Sequence, residues 1–206
     1  MGKKIVIIDY NMGNLTSVAN AIEYIGEKPT ISNKIEDIKN ADYIILPGVG
    51  AFGDGMKNLK DLKIIDVLNE EVIKKGKPFL GICLGMQLLA EEGHEGGLNK
   101  GLGYIKGRVE KFNLKNLRIP HVGWNEVHFK NKNLLSNNLK ESEIFYFVHS
   151  YHLITNEDII IGTCDYGGRF TAAIQKDNIF ATQFHPEKSQ KPGLQILKNF
   201  IGYKKC

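Results

Sequence analysis

The sequence predicts an α/β protein with an open, mostly parallel sheet flanked by helices and with antiparallel additions in the second half. Two observations support this prediction. In the first half, short β-branched runs alternate with stretches of helical spacing, as in parallel strands joined by crossover helices. In the second half, short strand-like runs follow one another with only turns between them, which favours hairpins.

Most elements of the first half have a local signal. Asn14 is a suitable N-cap for a helix with an apolar face, and Gly26 is a suitable stop for it. Pro47 ends a buried apolar run, and Gly76 ends a helical one. In chain order, the predicted elements are strands at 4–9, 30–32 and 43–46, helices at 15–25, 35–39 and 64–75, a strand that leads into Cys83, and a helix over 84–92.

The second half is predicted to be richer in strands. Its runs are shorter and are separated by turn residues, and the chain closes with an amphipathic helix. Internal repeats, low-complexity tracts and linkers are absent from the sequence, so we expect a single domain over 1–206. The predicted elements are strands at 107–112, 124–129, 144–149, 159–163, 172–175 and 179–184, and a helix at 193–203.

Composition narrows the function class. The chain has 206 residues, of which 42% are hydrophobic and 24% charged, which suits one globular core. The net charge of +4 comes from dispersed lysines without a basic stripe, so a nucleic-acid partner is not expected. The three cysteines, at 83, 164 and 206, lack zinc spacing and favour a reducing compartment without a metal site. The apolar run 5–8 is too short for a signal peptide, so we expect a cytoplasmic protein that does not bind membranes.

The run Gly81-Ile82-Cys83-Leu84-Gly85 carries the strongest functional signal. A cysteine between a strand and a helix, with glycine at both second neighbours, has the pattern of a nucleophile elbow. The glycines are explained by the close backbone approach in such a turn, which leaves no room for a Cβ.

A thiolate nucleophile needs a base, a group that orients the base, and donors for an oxyanion. His185 follows a buried strand, and Glu187 lies two residues further on, within reach of its imidazole. The N–H of Leu84 and the Pro47-Gly48-Val49-Gly50 loop are the candidate oxyanion donors. These residues alone indicate a cysteine hydrolase or acyltransferase. The remaining histidines are interpreted as surface, interface or packing residues: His94, His121, His128, His149 and His152.

Taken together with five further runs, these motifs resemble the class I glutamine amidotransferases and, more narrowly, the glutaminase subunits of imidazole glycerol phosphate synthases. The resemblance extends over essentially the whole chain, in order. The further runs are Ile8-Asp9-Tyr10-Asn11-Met12-Gly13-Asn14, Leu46-Pro47-Gly48-Val49-Gly50-Ala51-Phe52, Lys100-Gly101-Leu102-Gly103, Pro120-His121-Val122-Gly123-Trp124-Asn125 and Phe147-Val148-His149-Ser150-Tyr151.

The resemblance implies the residue roles. Cys83 matches the nucleophile that attacks the glutamine side-chain amide, His185 the general base and then acid, and Glu187 its orienting partner. No cofactor or metal is implied. The matched binding positions are Gln87, Glu95, Ser150 and Tyr151 for glutamine, and the backbone of Val49, Gly50 and Leu84 for the oxyanion.

The resemblance also implies a partner. Members of this family form a heterodimer with a (β/α)8 barrel synthase and pass ammonia to it. Where the barrel is the cyclase subunit, the pathway is histidine biosynthesis. In the family, the peptide that matches Val49-Gly50 can face the wrong way until the partner is loaded. The positions matched to the interface are Asn14, Trp124 and Lys188.

Three alternatives stay open from the sequence. Very similar amidotransferase subunits serve barrel paralogues that aminate nucleotide sugars in surface-glycan synthesis, and 128–141 and 169–179 do not separate the two pathways. A cysteine peptidase or γ-glutamyl hydrolase on the same sheet is the second alternative. A non-catalytic binding or regulatory module is the third.

Overall fold

In a computed structural model, residues 2–130 and 133–204 are described; Cys206, interpreted as a terminal cysteine, lies outside them. The described residues form a nine-stranded sheet and a smaller four-stranded sheet. None of their helices has the length and apolar content needed to cross a lipid bilayer.

Strands and helices alternate up to residue 88, and strands dominate from there to residue 182. The strands are β1 (Ile5–Ile8), β2 (Pro29–Ser32), β3 (Tyr43–Gly48), β4 (Phe79–Cys83), β5 (Ala90–Gly93), β6 (Asn99–Lys100), β7 (Ile105–Lys111), β8 (His121–Phe129), β9 (Ser142–His149), β10 (Tyr151–Ile154), β11 (Ile160–Asp165), β12 (Arg169–Lys176) and β13 (Ile179–Thr182). The helices are α1 (Leu15–Tyr24), α2 (Ile35–Asn40), α3 (Phe52–Asp61), α4 (Ile64–Leu68), a π-helix (Asn69–Lys74), α5 (Leu84–Gln87), a 3₁₀ turn (Pro186–Lys188) and α6 (Gln190–Ile201).

The larger sheet is mixed and has the order β2-β1-β3-β4-β13-β12-β11-β8-β9. Its ladders from β2 to β13 are parallel, and those from β13 to β9 are antiparallel. The predicted α/β class with antiparallel additions is therefore confirmed, and half of the ladders are parallel. The smaller sheet, in the order β10-β7-β5-β6, was not predicted.

Both faces of the parallel half are covered, which explains its continuous apolar strands. Along β1, Ile5 and Ile7 pack into a cluster with α1 and α6, whereas Val6 and Ile8 pack into a second cluster. The second cluster contains residues of α2, α3 and α4 and of the smaller sheet. Parallel strands thus end at one edge, and the loops after β1, β3 and β4 meet there.

The prediction of a helix over 84–92 is wrong beyond its first turn. Helix α5 ends at Gln87, and β5 begins at Ala90. Leu84, Leu88 and Leu89 are all buried in the second cluster, which contains residues of helices and of both sheets, so burial on several sides imitates helical spacing here. Helix α3 was missed because two glycines, which have low helix propensity, lie in its first turn.

Candidate active site

Cys83 lies at a sharp turn between β4 and α5. Its backbone has φ 54° and ψ −107°, a strained conformation for a residue with a Cβ. The flanking glycines make this turn possible. A Cβ at Gly81 would lie 2.7 Å from the carbonyl oxygen of Gly85, and a Cβ at Gly85 would overlap the carbonyl oxygen of Leu46. The thiol itself is free and almost fully buried.

Replacing Gly85 with alanine is expected to lower the free energy of unfolding by more than about 3 kcal/mol, because the obstructing atom belongs to the backbone of β3. Thermal unfolding followed by circular dichroism measures the effect. Gly2→Ala is the control, since nothing lies within 4 Å of a Cβ there. A Gly85→Ala protein as stable as the control would contradict the tight-turn geometry.

His185 and Glu187 form a buried pair beside Cys83. His185 follows β13, which runs parallel to β4, so both strands present their carboxyl ends at the same edge. Nδ1 of His185 donates to Oε1 of Glu187 at 2.7 Å, and both side chains are at most 3% exposed. The carboxylate therefore fixes the tautomer, and Nε2 is left free to exchange a proton. Within the described segments, Nε2 is buried without a hydrogen-bond partner of ordinary geometry.

The electrostatics of the pair favour a protonated imidazole. Burial acts to lower the pKa of His185, but interactions with Cys83 and Glu187 outweigh it and raise this pKa to about 10. Both neighbours act through negative charge, and Glu187 also accepts the hydrogen bond of Nδ1. His185 is thus arranged to take a proton from the thiol and to keep it until a leaving group needs it.

A cavity of about 430 Å³ opens in front of Cys83. Its walls include every residue predicted to bind glutamine and every predicted oxyanion residue. Glu95 also supports α3, because its Oε2 accepts from the backbone N–H of Phe52 at 2.8 Å. The lining residues are Val49, Gly50, Ala51, Cys83, Leu84, Gln87, Glu95, Pro120, Val148, His149, Ser150 and Tyr151.

With this geometry established, comparison with known proteins identifies the family. A family model described as glutamine amidotransferase class-I matches residues 6–202. The chain belongs to the class-I glutamine amidotransferase family. The predicted family and enzyme class are thereby confirmed.

Curated relatives cover nearly the whole amidotransferase chain. Imidazole glycerol phosphate synthase subunit HisH 1 of Campylobacter jejuni (strain RM1221) is 50% identical over 198 residues, a match that covers 96% of this chain and 98% of that protein. Subunit HisH 2 of Methanococcus maripaludis is 52% identical over 199 residues, with the same coverage. The solved structure of PurLQS from Thermotoga maritima matches with a TM-score of 0.75 at 19% identity, covering 98% of this chain and 99% of that one. This last likeness shows the fold alone.

The amidotransferase site contains a buried amide network that sequence reasoning missed. Nε2 of Gln183 lies 3.6 Å from Sγ of Cys83, and Oε1 of Gln183 accepts from Nε2 of Gln87 at 3.1 Å. The same Gln87 nitrogen donates to the carbonyl of Tyr151 at 2.9 Å. Gln87 is therefore positioned by the protein itself as well as lining the cavity. A glutamine immediately before Phe184-His185, in an otherwise apolar strand, was the available signal.

Two further histidines of the amidotransferase were predicted to lie at the surface, at an interface or in packing. His121 and His149 are buried, and burial lowers their pKa values to about 4 and about 3, so both are neutral. Nδ1 of His149 donates to the carbonyl of Tyr151 at 2.8 Å, and its Nε2 pairs with Nδ1 of His121 at 3.1 Å. Packing is thus part of their role, and His149, held by His121, also binds the Tyr151 carbonyl that accepts from Gln87.

The residues matched to the partner interface of the amidotransferase occupy three elements. Asn14 caps α1, its Oδ1 accepting from the N–H of Ser17 at 3.3 Å. Trp124 on β8 is half exposed, and its ring meets that of Tyr146 edge-on at 5.8 Å. Nζ of Lys188 lies 5.8 Å from the centroid of the same Tyr146 ring. Tyr146, which the sequence did not single out, therefore joins two of the three predicted positions.

Proposed function

We propose that this chain is the glutaminase subunit of an imidazole glycerol phosphate synthase and supplies ammonia to a cyclase subunit. Identity of about 50% to imidazole glycerol phosphate synthase subunits over nearly the full length carries this proposal. The arrangement of Cys83, His185 and Glu187 beside a cavity of about 430 Å³ supports the chemistry. The relatives reported above give no support to the nucleotide-sugar alternative.

In the proposed reaction, Cys83 gives its proton to Nε2 of His185, and the thiolate adds to the amide carbon of glutamine. The tetrahedral oxyanion is stabilised by backbone N–H groups of Leu84 and of the Val49–Gly50 segment. The C–N bond then breaks while His185 returns the proton to the leaving nitrogen, which departs as ammonia. Water adds to the γ-glutamyl thioester with His185 as base, glutamate is released, and the thiol is restored.

The ammonia has to reach its acceptor without entering water, since at neutral pH it would be protonated and lose its nucleophilicity. We propose that the chain forms a cytoplasmic heterodimer with a (β/α)8 barrel, as one domain over 1–206, without contacting a membrane or nucleic acid. An exposed apolar group on β8 and β9 supports this docking face: Val122, Trp124 and Ile144.

The function is tested by glutamate release from glutamine, measured with and without the cyclase barrel and that barrel's substrate. We expect the rate to rise when the loaded barrel binds, because the two sites are coupled. Rescue of a histidine auxotroph that lacks its glutaminase, with the barrel co-expressed, assigns the pathway. Turnover of peptides in preference to glutamine, or a rate indifferent to the barrel, would contradict the proposal.

Trp124→Ala is expected to weaken barrel binding about 10- to 100-fold, because a half-exposed aromatic in an apolar patch is a typical interface hot spot. Isothermal titration calorimetry with the barrel measures the change in Kd. Ile31→Ala is the matched control, since Ile31 is 42% exposed on β2, the opposite edge strand of the sheet. Equal affinities of the two variants would place the barrel on another face.

A further inference from the structure

The loop after β1 forms the surface on which the predicted oxyanion loop rests. A Cβ at Gly13 would lie 3.4 Å from Cα of Gly48, and a Cβ at Gly50 would lie 2.7 Å from Cε of Met12. Both glycines have positive φ, +119° and +111°, which disfavours a side chain at either position, and the two loops lie in direct contact. Tyr10 lies in the first of these loops.

The Tyr10 hydroxyl occupies the space between the two predicted sources of oxyanion donors. A Cβ at Gly48 would overlap this hydroxyl and would lie 2.9 Å from Cβ of Leu84. Gly48 is also the register partner of Cys83 between β3 and β4. The hydroxyl is thus packed against Gly48, beside Leu84 and close to the nucleophile.

Tyr10 is held firmly but its hydroxyl is unpaired. The side chain is completely buried, and the backbone carbonyl of Tyr10 accepts from Nδ2 of Asn58 on α3 at 3.0 Å. Among residues 2–130 and 133–204, the hydroxyl has no hydrogen-bond partner. Burial, and then the charge of Cys83, raise the pKa of Tyr10, so the group stays protonated and remains a donor. A buried donor without an acceptor is costly, and a loop conformation that brings a carbonyl to it is favoured.

The planarity of the peptide bond connects this donor to the oxyanion. In a trans peptide, the N–H and the C=O point in opposite directions. If an N–H of the Val49–Gly50 segment points into the cavity, the carbonyl of the same peptide turns away from it, towards the loop that contains Tyr10. The opposite orientation would place a carbonyl in the cavity, where it would repel an oxyanion.

We propose that Tyr10 is a positioning residue whose hydroxyl donates to a backbone carbonyl of the 48–50 segment when a peptide N–H of that segment faces the oxyanion. The proposal rests on the proposed glutaminase function. It makes the hydroxyl a group that favours the productive loop conformation without touching glutamine. It also explains why a tyrosine hydroxyl is buried where phenylalanine would pack without an unpaired donor.

Tyr10→Phe tests the proposal, because it removes the donor and keeps the ring. We expect kcat for glutamine hydrolysis in the barrel complex to fall about 10- to 100-fold, while KM stays within about twofold of the parent value. This decrease in kcat is no larger than the decrease caused by removing a direct oxyanion donor. The melting temperature should stay the same or rise, since an unpaired buried group has been removed. If Tyr10 were purely structural, the melting temperature of Tyr10→Phe would fall and its kcat would stay close to the parent value.

Tyr43→Phe is the matched control. Tyr43 is buried on β3, and its hydroxyl donates to the carbonyl of Tyr203 at 2.7 Å. This variant should melt at a lower temperature and keep kcat within about twofold, because a satisfied structural hydrogen bond is lost far from the cavity.

A second measurement separates the oxyanion from the thiolate. Alkylation of Cys83 by iodoacetamide needs the thiolate but no oxyanion donors, so its rate should be unchanged in Tyr10→Phe. The proposal is overturned if kcat of Tyr10→Phe stays within twofold of the parent, if its melting temperature falls as in Tyr43→Phe, or if alkylation slows in parallel with kcat. Failure of the proposed function would be distinguishable, since the parent complex itself would then not release glutamate from glutamine, whereas failure of the Tyr10 proposal leaves an active parent.

Discussion

Cys83→Ala is expected to abolish glutamate release, with a loss of about 10⁵-fold or more in kcat, because without the sulfur no thioester forms. The fold should survive, since the alanine retains the Cβ that the turn already accommodates and the thiol is almost fully buried at only 5% exposure. Glutamate formation followed by a coupled dehydrogenase assay measures the rate, and circular dichroism checks the fold. Cys164→Ala is the control, because this second buried thiol lies on β11, outside the cavity lining. The Cys164→Ala variant should retain the activity of the parent.

The same position reports the strain of the turn. At φ 54° a Cβ is unfavourable, so Cys83→Gly should be more stable than Cys83→Ala by about 1 kcal/mol, a reversal of the usual order of these two residues. Denaturant unfolding of the two inactive variants measures this difference. Cys83→Gly less stable than Cys83→Ala would contradict the elbow geometry, and measurable turnover in either variant would contradict the nucleophile assignment.

The sequence sufficed for the parallel half of the fold and for placing the candidate site residues at one edge of the sheet. Cys83, Pro47 and Asp9 each follow an apolar run, and parallel strands bring such ends to one edge. Local sequence patterns failed over residues 84–92, where several packed elements bury neighbouring side chains. Leu88 and Leu89 are buried in a cluster that also contains residues of α3 and of the smaller sheet, and no pattern within residues 84–92 shows that a second sheet exists.

The supporting groups of the site were also beyond local signals. Tyr146 and His149 lie on β9 and Gln183 lies just after β13, and each contacts a residue that is distant in sequence: Trp124, His121 and Cys83, respectively. Tyr10 is an extreme case. Its proposed role depends on the space left by Gly48, 38 residues further along the chain, which only the folded chain brings next to it.

Glu187→Gln is expected to lower kcat about 10²- to 10⁴-fold while leaving KM for glutamine nearly unchanged. The substitution removes the charge that faces Nδ1 of His185 at 2.7 Å, and it lets an amide N–H compete for that nitrogen, which would favour the wrong tautomer. Glutamine does not touch Glu187 in this scheme, so binding should persist. Steady-state kinetics of the barrel complex separates the two constants.

The pH profile of Glu187→Gln is expected to shift in a defined direction. In the parent, burial acts to lower the pKa of His185, but interactions with Cys83 and Glu187 outweigh it and raise this pKa from 6.5 to about 10. The charged imidazole therefore stabilises the fold fully below about pH 6.5, and this stabilisation is lost as the pH rises towards 10. Removing Glu187 takes away one of the groups that raise this pKa. The basic limb of the kcat/KM profile should therefore move to lower pH in Glu187→Gln. Lys188→Gln is the control, because Lys188 is next to Glu187 but outside the His185–Glu187 pair. In the assay without the barrel, this variant should keep the pH profile of the parent. A basic limb that moves to higher pH in Glu187→Gln would refute the assigned role of the carboxylate.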